Sequence, residues 1–545
     1  MALDQTRARP RTPGFVYGSI TLVMLVVLGV IALIARQPPP PTIAEFAPNA
    51  QEQIEDAPEE QAARRGRGAG ASPPPTEGGV PTPGPAEQRF IDTPRVRRCV
   101  GNPPRQTEDP QSPPCVPYWE GDNGGATWRG VTRNEIKINV PANQGHLDHF
   151  LAYFNSRYEF YGRKLVAVQK GGDHEAVKMV AAAQAADAEG VFASTMYGDA
   201  GGGESIYYDE LARRGIISVD ARPSMSTEAD LAKHHPYRWS FLPTHDVMQR
   251  NEGEWICKAL KDRPPEFASG RERTAQTRRF GLVYTKSSNN QVPDLSHLKG
   301  ALARCGITFT RDTEAEMVHN EGDAQGIQRA QTVVIQMQSQ NVTTIICACH
   351  TQNSGLYLYP NASKQGYYPE WIIGTYMYQA EDAHAGSWDP AQVENSFGIS
   401  WLNKQIAPDQ SAWYWAIKEA EPGYRFPSGN PYVYYEPRYL YYPMLVLASG
   451  IQLAGPNLNP TTFARGLQQA RWPNPNAGRA PYWQATIGFG GDHSAVEDGT
   501  LVWLTRSQRS NWGMPGATCF AQQGIRYRLG GWPSDNAGLF QPPCY

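Results

Sequence analysis

The chain predicts an α/β fold of two Rossmann-like lobes joined by a hinge. Three observations predict it. From Glu135 onward, short apolar runs alternate with longer amphipathic stretches, the pattern of a parallel sheet covered on both faces. The alternation runs twice, in successive blocks of ordinary domain size, so two similar lobes are expected rather than one long sheet. The stretch Gly190 to Asp220, GVFASTMYGDAGGGESIYYDELARRGIISVD, sets a glycine-rich turn between an apolar run and a helix, which is a β-α-β unit.

In the first block, strands are expected at Glu135–Val140, Lys164–Val168, Gly190–Ala193, Ile216–Val219 and Tyr237–Leu242. Helices are expected at His146–Tyr161, His174–Ala188 and Glu204–Arg214. Leu147, Phe150, Leu151 and Phe154 share one face of the first, and Gly215 stops the third. The second block predicts helices at Asp246–Leu260, Asp294–Cys305, Asp323–Gln338 and Gly355–Gln365. Its strands are expected at Arg279–Tyr284, Ile307–Thr310, Thr343–Ala348 and Trp371–Gly374. The tail changes character. Helices are expected at Asp409–Glu419, Tyr435–Leu453 and Thr461–Ala470, the second carrying Tyr439, Tyr441 and Tyr442. The short strands ATIGFGG, TLVWLT and IRYRLGG follow. The division is therefore 99–245 for the first lobe, 246–400 for the second, and 401–545 for helices and strands that complete the lobes and the hinge.

What precedes the lobes is different. Val16–Ala35 is an uncharged stretch of about 20 residues, the length that spans a bilayer. Arg7, Arg9 and Arg11 precede it, which keeps residues 1–15 cytoplasmic and the bulk of the chain extracytoplasmic. The run is long for a cleaved signal peptide and its end, Leu33-Ile34-Ala35, lacks a small residue at the −3 position, so an uncleaved single-pass signal anchor is expected. Residues 36–98, with Pro38–Pro41 and Pro73–Pro75, are too poor in apolar groups to bury a core and read as a linker.

Export suits the eight cysteines, because an oxidising compartment permits disulfides. Cys99 and Cys115 flank a proline-rich loop and are expected to pair. Cys257 and Cys305 sit on helices either side of one strand, and Cys519 and Cys544 are placed to staple the tail. Cys347 and Cys349, in IICACH, are awkward for a mutual bridge, since extended backbone holds alternate residues apart. With His350 they offer soft metal ligands, but no fourth ligand is near, so buried structural cysteine is the expectation and no metal is assigned.

A net charge of −3 gives no global case for nucleic acid. The glycine turn is not G-x-G-x-x-G, and the chain has no nucleophile-elbow G-x-S-x-G, no H-E-x-x-H and no phosphate loop. Neither enzymatic activity nor a cofactor is expected.

Several stretches together carry a family likeness: GVTRNEIKINV, YFNSRYEFYGRKLVAV, VFAST with its glycine loop, LARRGIISVDARPS, and IICACHTQNSGLYLYPNASKQGYYPEWIIG. In order and spacing the chain resembles type I periplasmic binding proteins of the leucine/isoleucine/valine-binding branch, the solute receptors of ABC importers. DNGGAT and the Cys99–Cys115 loop resemble actinobacterial members. The chain departs from the family at two strand ends, reading SSNN beyond Tyr284 and His-Thr after Cys349. The resemblance implies hinged closure of two lobes on a small ligand and an ABC permease as partner.

In open α/β sheets ligands sit beyond the carboxyl ends of strands. On that rule the first lobe offers Asn143, Gln144, Ser194, Thr195, Asp220 and Arg222. The second offers Asn289, Asn290, His350, Gln352 and Tyr376. The resemblance assigns a ligand's carboxylate and amine to Ser194 and to the segment after Val219. Against these roles stands the plainer one of capping helices and turns. Two functions are expected: capture of a small polar ligand, amino-acid-like or amide, for an ABC importer, or a tethered ectodomain that senses a ligand or binds an envelope protein without transport.

Overall fold

Ile136 and Ile138 are both fully buried either side of half-exposed Lys137, and Asn139 is buried after them, which makes β1 (Glu135–Asn139) the start of the first sheet. It is joined by β2 (Lys164–Val168), β3 (Ala193–Thr195), β4 (Ile217–Asp220) and β5 (Arg238–Ser240). All five run parallel, in the order β2-β1-β3-β4-β5.

The second sheet begins with β6 (Phe280–Lys286), β7 (Glu314–Val318), β8 (Thr344–Ala348), β9 (Glu370–Ile373) and β10 (Ser396–Ser400). These are also parallel and lie in the order β7-β6-β8-β9-β10, the same pattern as the first sheet. The tail extends this sheet antiparallel with β11 (Gly499–Thr505), β12 (Ala517–Phe520) and β13 (Arg526–Tyr527), giving eight strands.

The computed structural model describes residues 98–545 apart from 142–144, 172–175, 196–203, 222–224, 270–273, 288–290, 320, 375–377, 428–429, 476–482, 537 and 545. All described residues belong to the unit Val80–Tyr545. The signal anchor expected at Val16–Ala35 and nearly all of the linker lie outside the described residues. Among those described, no helix is long and apolar enough to cross a membrane.

The tail divides between the lobes. Helix Ala412–Ala420 packs on helix Leu147–Arg157, and helix Tyr435–Ala454 packs on that helix, on β3 and β4, and on helix Pro460–Gln469. Of ATIGFGG only Ile487 bridges, to Val496, while Ser494 pairs beside Ser240 of β5. The polypeptide therefore crosses between lobes after β5, after β10 and just before β11. Arg526 ties two crossings together: its Nε donates to Asp498 Oδ1 at 2.6 Å and its Nη1 to the Leu402 carbonyl at 3.2 Å.

Three expectations change. The strand expected at Gly190–Ala193 forms at Ala193–Thr195. The strand expected at Ile307–Thr310 is absent; Thr310 and Thr313 close a turn, with the Thr313 amide on the Thr310 carbonyl at 3.0 Å, and pairing starts at Glu314. Cys347 and Cys349 are bonded to each other. Their Cα atoms are 4.9 Å apart, whereas two residues of extended strand span about 6.6 Å. β8 ends at Ala348, so Cys349 is already outside the extended run. The other bonds are Cys99–Cys115, Cys257–Cys305 and Cys519–Cys544.

Candidate ligand cleft

Both parallel sheets reverse strand order beside their first strand, between β1 and β3 and between β6 and β8. Such switch points open a crevice at the carboxyl edge of the sheet. Ser194 and Thr195 end β3 at the first, and His350 and Gln352 follow β8 at the second.

A small cavity of about 20 Å3, room for about one water, lies between the lobes, so a ligand enters only when they part. One wall is Ala221, Phe241 and Leu242, just beyond β4 and β5. The opposite wall is Tyr378, beyond β9, with Leu402 and Asn403 on the second crossing. Arg438, Tyr439 and Tyr442 of helix Tyr435–Ala454 close it. Phe241 and Tyr442 stack with centroids 4.4 Å apart and planes 13° apart. Tyr378 meets Tyr439 at 4.8 Å.

The charge in this cleft is internally compensated. Arg438 is paired with Glu381 of the second lobe, and the Tyr439 hydroxyl donates to the same carboxylate at 2.8 Å. The guanidinium lies 4.9 Å from the Tyr439 ring and 5.6 Å from that of Trp512. Burial opposes the charge on Arg438 most strongly of any single cause, but Glu381 together with Tyr439, Tyr435 and Tyr442 outweighs it and holds the guanidinium above its ordinary value. Burial, then Glu381, lifts the Tyr439 phenol well above its ordinary range, and burial pushes Tyr442 up to about 12. At neutral pH these phenols stay protonated: Tyr439 donates to Glu381, and the Tyr442 hydroxyl accepts from Asn403 Nδ2 at 2.8 Å.

The expected site residues fall into three groups. Ser194 is fully buried and its hydroxyl is engaged within the lobe, 2.8 Å from Tyr207 Oη and 3.1 Å from the Asn139 carbonyl. It fixes helix Glu204–Arg213 to the sheet. Thr195 is also fully buried, and its Oγ1 has no hydrogen-bond partner among the described residues. Asp220 ends β4, nearly buried, and its carbonyl receives the Phe241 amide.

In the second lobe His350 is buried. Its ring lies 3.8 Å from that of His319, and its Nδ1 accepts the Gln352 amide at 3.2 Å. Burial, then His350, lowers nearby His384 to about 3, so that imidazole is neutral. Asn143, Gln144, Arg222, Asn289, Asn290 and Tyr376 lie outside the described residues. Among the described residues, no group of three His, Cys, Asp or Glu side chains is placed to hold a metal ion.

Phe241, Tyr378, Glu381 and Arg438 were not anticipated as cleft residues. A signal for one existed: Arg438 is a lone cation in the otherwise aromatic and apolar run YLYYPMLVLA that begins beside it.

No family model and no curated protein matches the chain. Solved structures do. An amino acid ABC transporter substrate-binding protein from Pseudomonas fluorescens Pf-5 superposes with a TM-score of 0.51 and 13% identity, over 72% of this chain and 96% of that one. The fold is that of a type I periplasmic binding protein. A leucine binding protein from Thermotoga maritima MSB8 gives 0.48 and 13%, over 73% and 99% of the two chains. A solute binding protein of an ABC transporter from Rhodopseudomonas palustris BisB5, solved with 3,4-dihydroxybenzoic acid, gives 0.48 and 11%, over 73% and 97%. The repeated strand order and the triple crossing are the parts of the chain that build the periplasmic-binding fold.

Proposed function

We propose that this chain is an extracytoplasmic solute receptor, held at the membrane by Val16–Ala35, that captures a small ligand between its lobes and presents it to an ABC permease. The observation that carries this reading is the cavity whose walls come from the carboxyl edges of both sheets. Hinged closure follows when ligand binds the closed arrangement better than the open one. The aromatic walls suit a ligand with a substantial apolar part. Thr195 and the other strand-end positions named from the sequence, Asn143, Gln144, Asn289, Asn290 and Gln352, are the candidates for its polar groups.

A panel of amino acids, amides, short peptides, sugars and aromatic acids, screened by thermal shift on the purified protein, tests the reading. A ligand at about a hundred times its dissociation constant stabilises the fold by about 2.7 kcal/mol. A flat response across the panel contradicts capture of a small solute.

A second reading, a tethered sensor without transport, is favoured by one contact. Gln111, within the Cys99–Cys115 loop, donates to Asn403 Oδ1 at 3.2 Å and to the Ala485 carbonyl at 2.9 Å, so this loop is seated on the hinge. An envelope protein recovered by cross-linking, with no permease among the products, is its expected signature.

A further inference from the structure

A second cavity, of about 410 Å3, lies beside the second crossing and outside the cleft. Its size is within the range of about 300–1,000 Å3 that small-molecule sites occupy. Its walls include Asp382, Lys404, Gln410, Trp483 and Asn511, and Cys544 of the tail disulfide.

The wall is chemically unusual at one residue. The Thr518 amide donates to Asp382 Oδ1 at 2.7 Å, and the Thr518 carbonyl accepts from Lys404 Nζ at 2.7 Å. One peptide segment thus holds a carboxylate and an ammonium side by side. Yet no ion pair joins them within 4.0 Å among the described residues. Asp382 is 3% exposed, and Lys404 Nζ stands 5.0 Å from the Phe520 ring centroid. Among the described residues, Lys404 retains ammonium hydrogens with no acceptor, and the second Asp382 oxygen has no donor. Burial works against both charges, pushing Asp382 up to about 6 and the Lys404 amine down.

We infer that this cavity is a second small-molecule site, separate from the cleft, for a zwitterion that carries an ammonium and a carboxylate, as a free amino acid does. The ligand's carboxylate meets Lys404, its ammonium meets Asp382, and its side chain lies toward Trp483. A buried carboxylate and a half-buried ammonium, each half-satisfied on one wall, are completed by opposite ends of one molecule. The site also touches the hinge. The Asp382 amide donates to Gln405 Oε1 at 3.0 Å, and the Lys404 amide donates to the Trp483 carbonyl at 2.7 Å. A bound zwitterion therefore braces the second crossing.

The test is equilibrium dialysis of the full-length protein with the common amino acids, one at a time at millimolar concentration, beside their N-acetyl and carboxamide forms. The proteins are wild type, Lys404→Met, Asp382→Asn, Ala407→Trp and the cleft variant Ala221→Trp. Ala407→Trp fills the cavity while sparing both charges, which keeps the test decisive if a charge variant does not fold. Expected is saturable binding of an amino acid that survives Ala221→Trp and weakens about tenfold or more in Lys404→Met, Asp382→Asn and Ala407→Trp. The blocked forms are expected to bind at least that much more weakly. Binding lost in Ala221→Trp but unchanged in Lys404→Met and Ala407→Trp assigns the amino acid to the cleft and overturns the inference. So does equal binding of blocked forms, or no amino acid bound by the folded Ala221→Trp protein. A thermal shift by a non-zwitterionic ligand that Ala221→Trp abolishes leaves the cleft reading intact whichever way this experiment falls.

Discussion

Arg438 shows how much rests on single buried charges. It is paired with Glu381, which is itself 2% exposed and further bonded by Tyr439. Arg438→Met leaves that carboxylate buried without its cation, and removing one partner of such a pair costs about 3–5 kcal/mol. Urea unfolding of Arg438→Met is expected to show that loss, and the double variant Arg438→Met/Glu381→Gln is expected to recover most of it. Asp109 makes a pH prediction. Burial pushes its carboxyl up to about 6, and the Tyr441 hydroxyl and Gln111 amide pull it only part of the way back. A carboxyl whose folded pKa exceeds its unfolded one binds its proton more tightly when folded. Its contribution therefore falls as pH rises from about 4 to about 6 and is flat above that. Asp109→Asn removes this dependence. Its stability relative to wild type is expected to improve by about 2–3 kcal/mol between pH 4 and pH 7, measured by urea unfolding at both; an unchanged difference contradicts a raised Asp109.

Strands differ in how openly they declare themselves. β1, EIKIN, and β8, TIICA, carry β-branched residues at buried positions and are legible in the sequence. β10, SFGIS, is not, because its middle residue is glycine and its flanks are serine. The structure gives the reason for that glycine: a Cβ at Gly398 would stand 1.7 Å from the Ile373 carbonyl oxygen of β9, which is backbone and cannot turn aside. Gly398→Ala is expected to cost about 3 kcal/mol or more by forcing β9 and β10 apart, read as a lowered urea midpoint; a neutral effect contradicts the close approach. β7 was hidden for the opposite reason. Ile307–Thr310 is more apolar than the true strand EAEMV, and Ile307 is buried without pairing. The strand ends named from the sequence are not the residues that line the cavity: of the described ones, Ser194, Thr195, Asp220, His350 and Gln352 are absent from its walls, Ser194 turns inward to Tyr207, and Arg438 comes from a helix far along the chain that no strand-end rule selects. Long-range placement of that kind is set by the return of the tail to the first lobe, which local periodicity does not encode.

At the scale of the molecule, the two sheets share one strand order and are linked by three crossings, with the Cys99–Cys115 loop seated on the hinge through Gln111. Polar contacts between the lobes include Arg438 and Tyr439 with Glu381, the Ala383 amide on the Tyr435 hydroxyl at 3.0 Å, Gln405 Nε2 on the same hydroxyl at 3.1 Å, and the Glu228 amide on Asp246 Oδ1 at 2.9 Å. On the proposed function, the hinge moves the lobes as bodies and a ligand held by both walls draws them together. The direct measurement is small-angle X-ray scattering of wild type and Ala221→Trp, each with and without a ligand found by thermal shift. The account predicts that ligand lowers the radius of gyration of wild type and leaves that of Ala221→Trp unchanged. A ligand that stabilises wild type without compacting it, or that compacts both proteins equally, contradicts capture between the lobes.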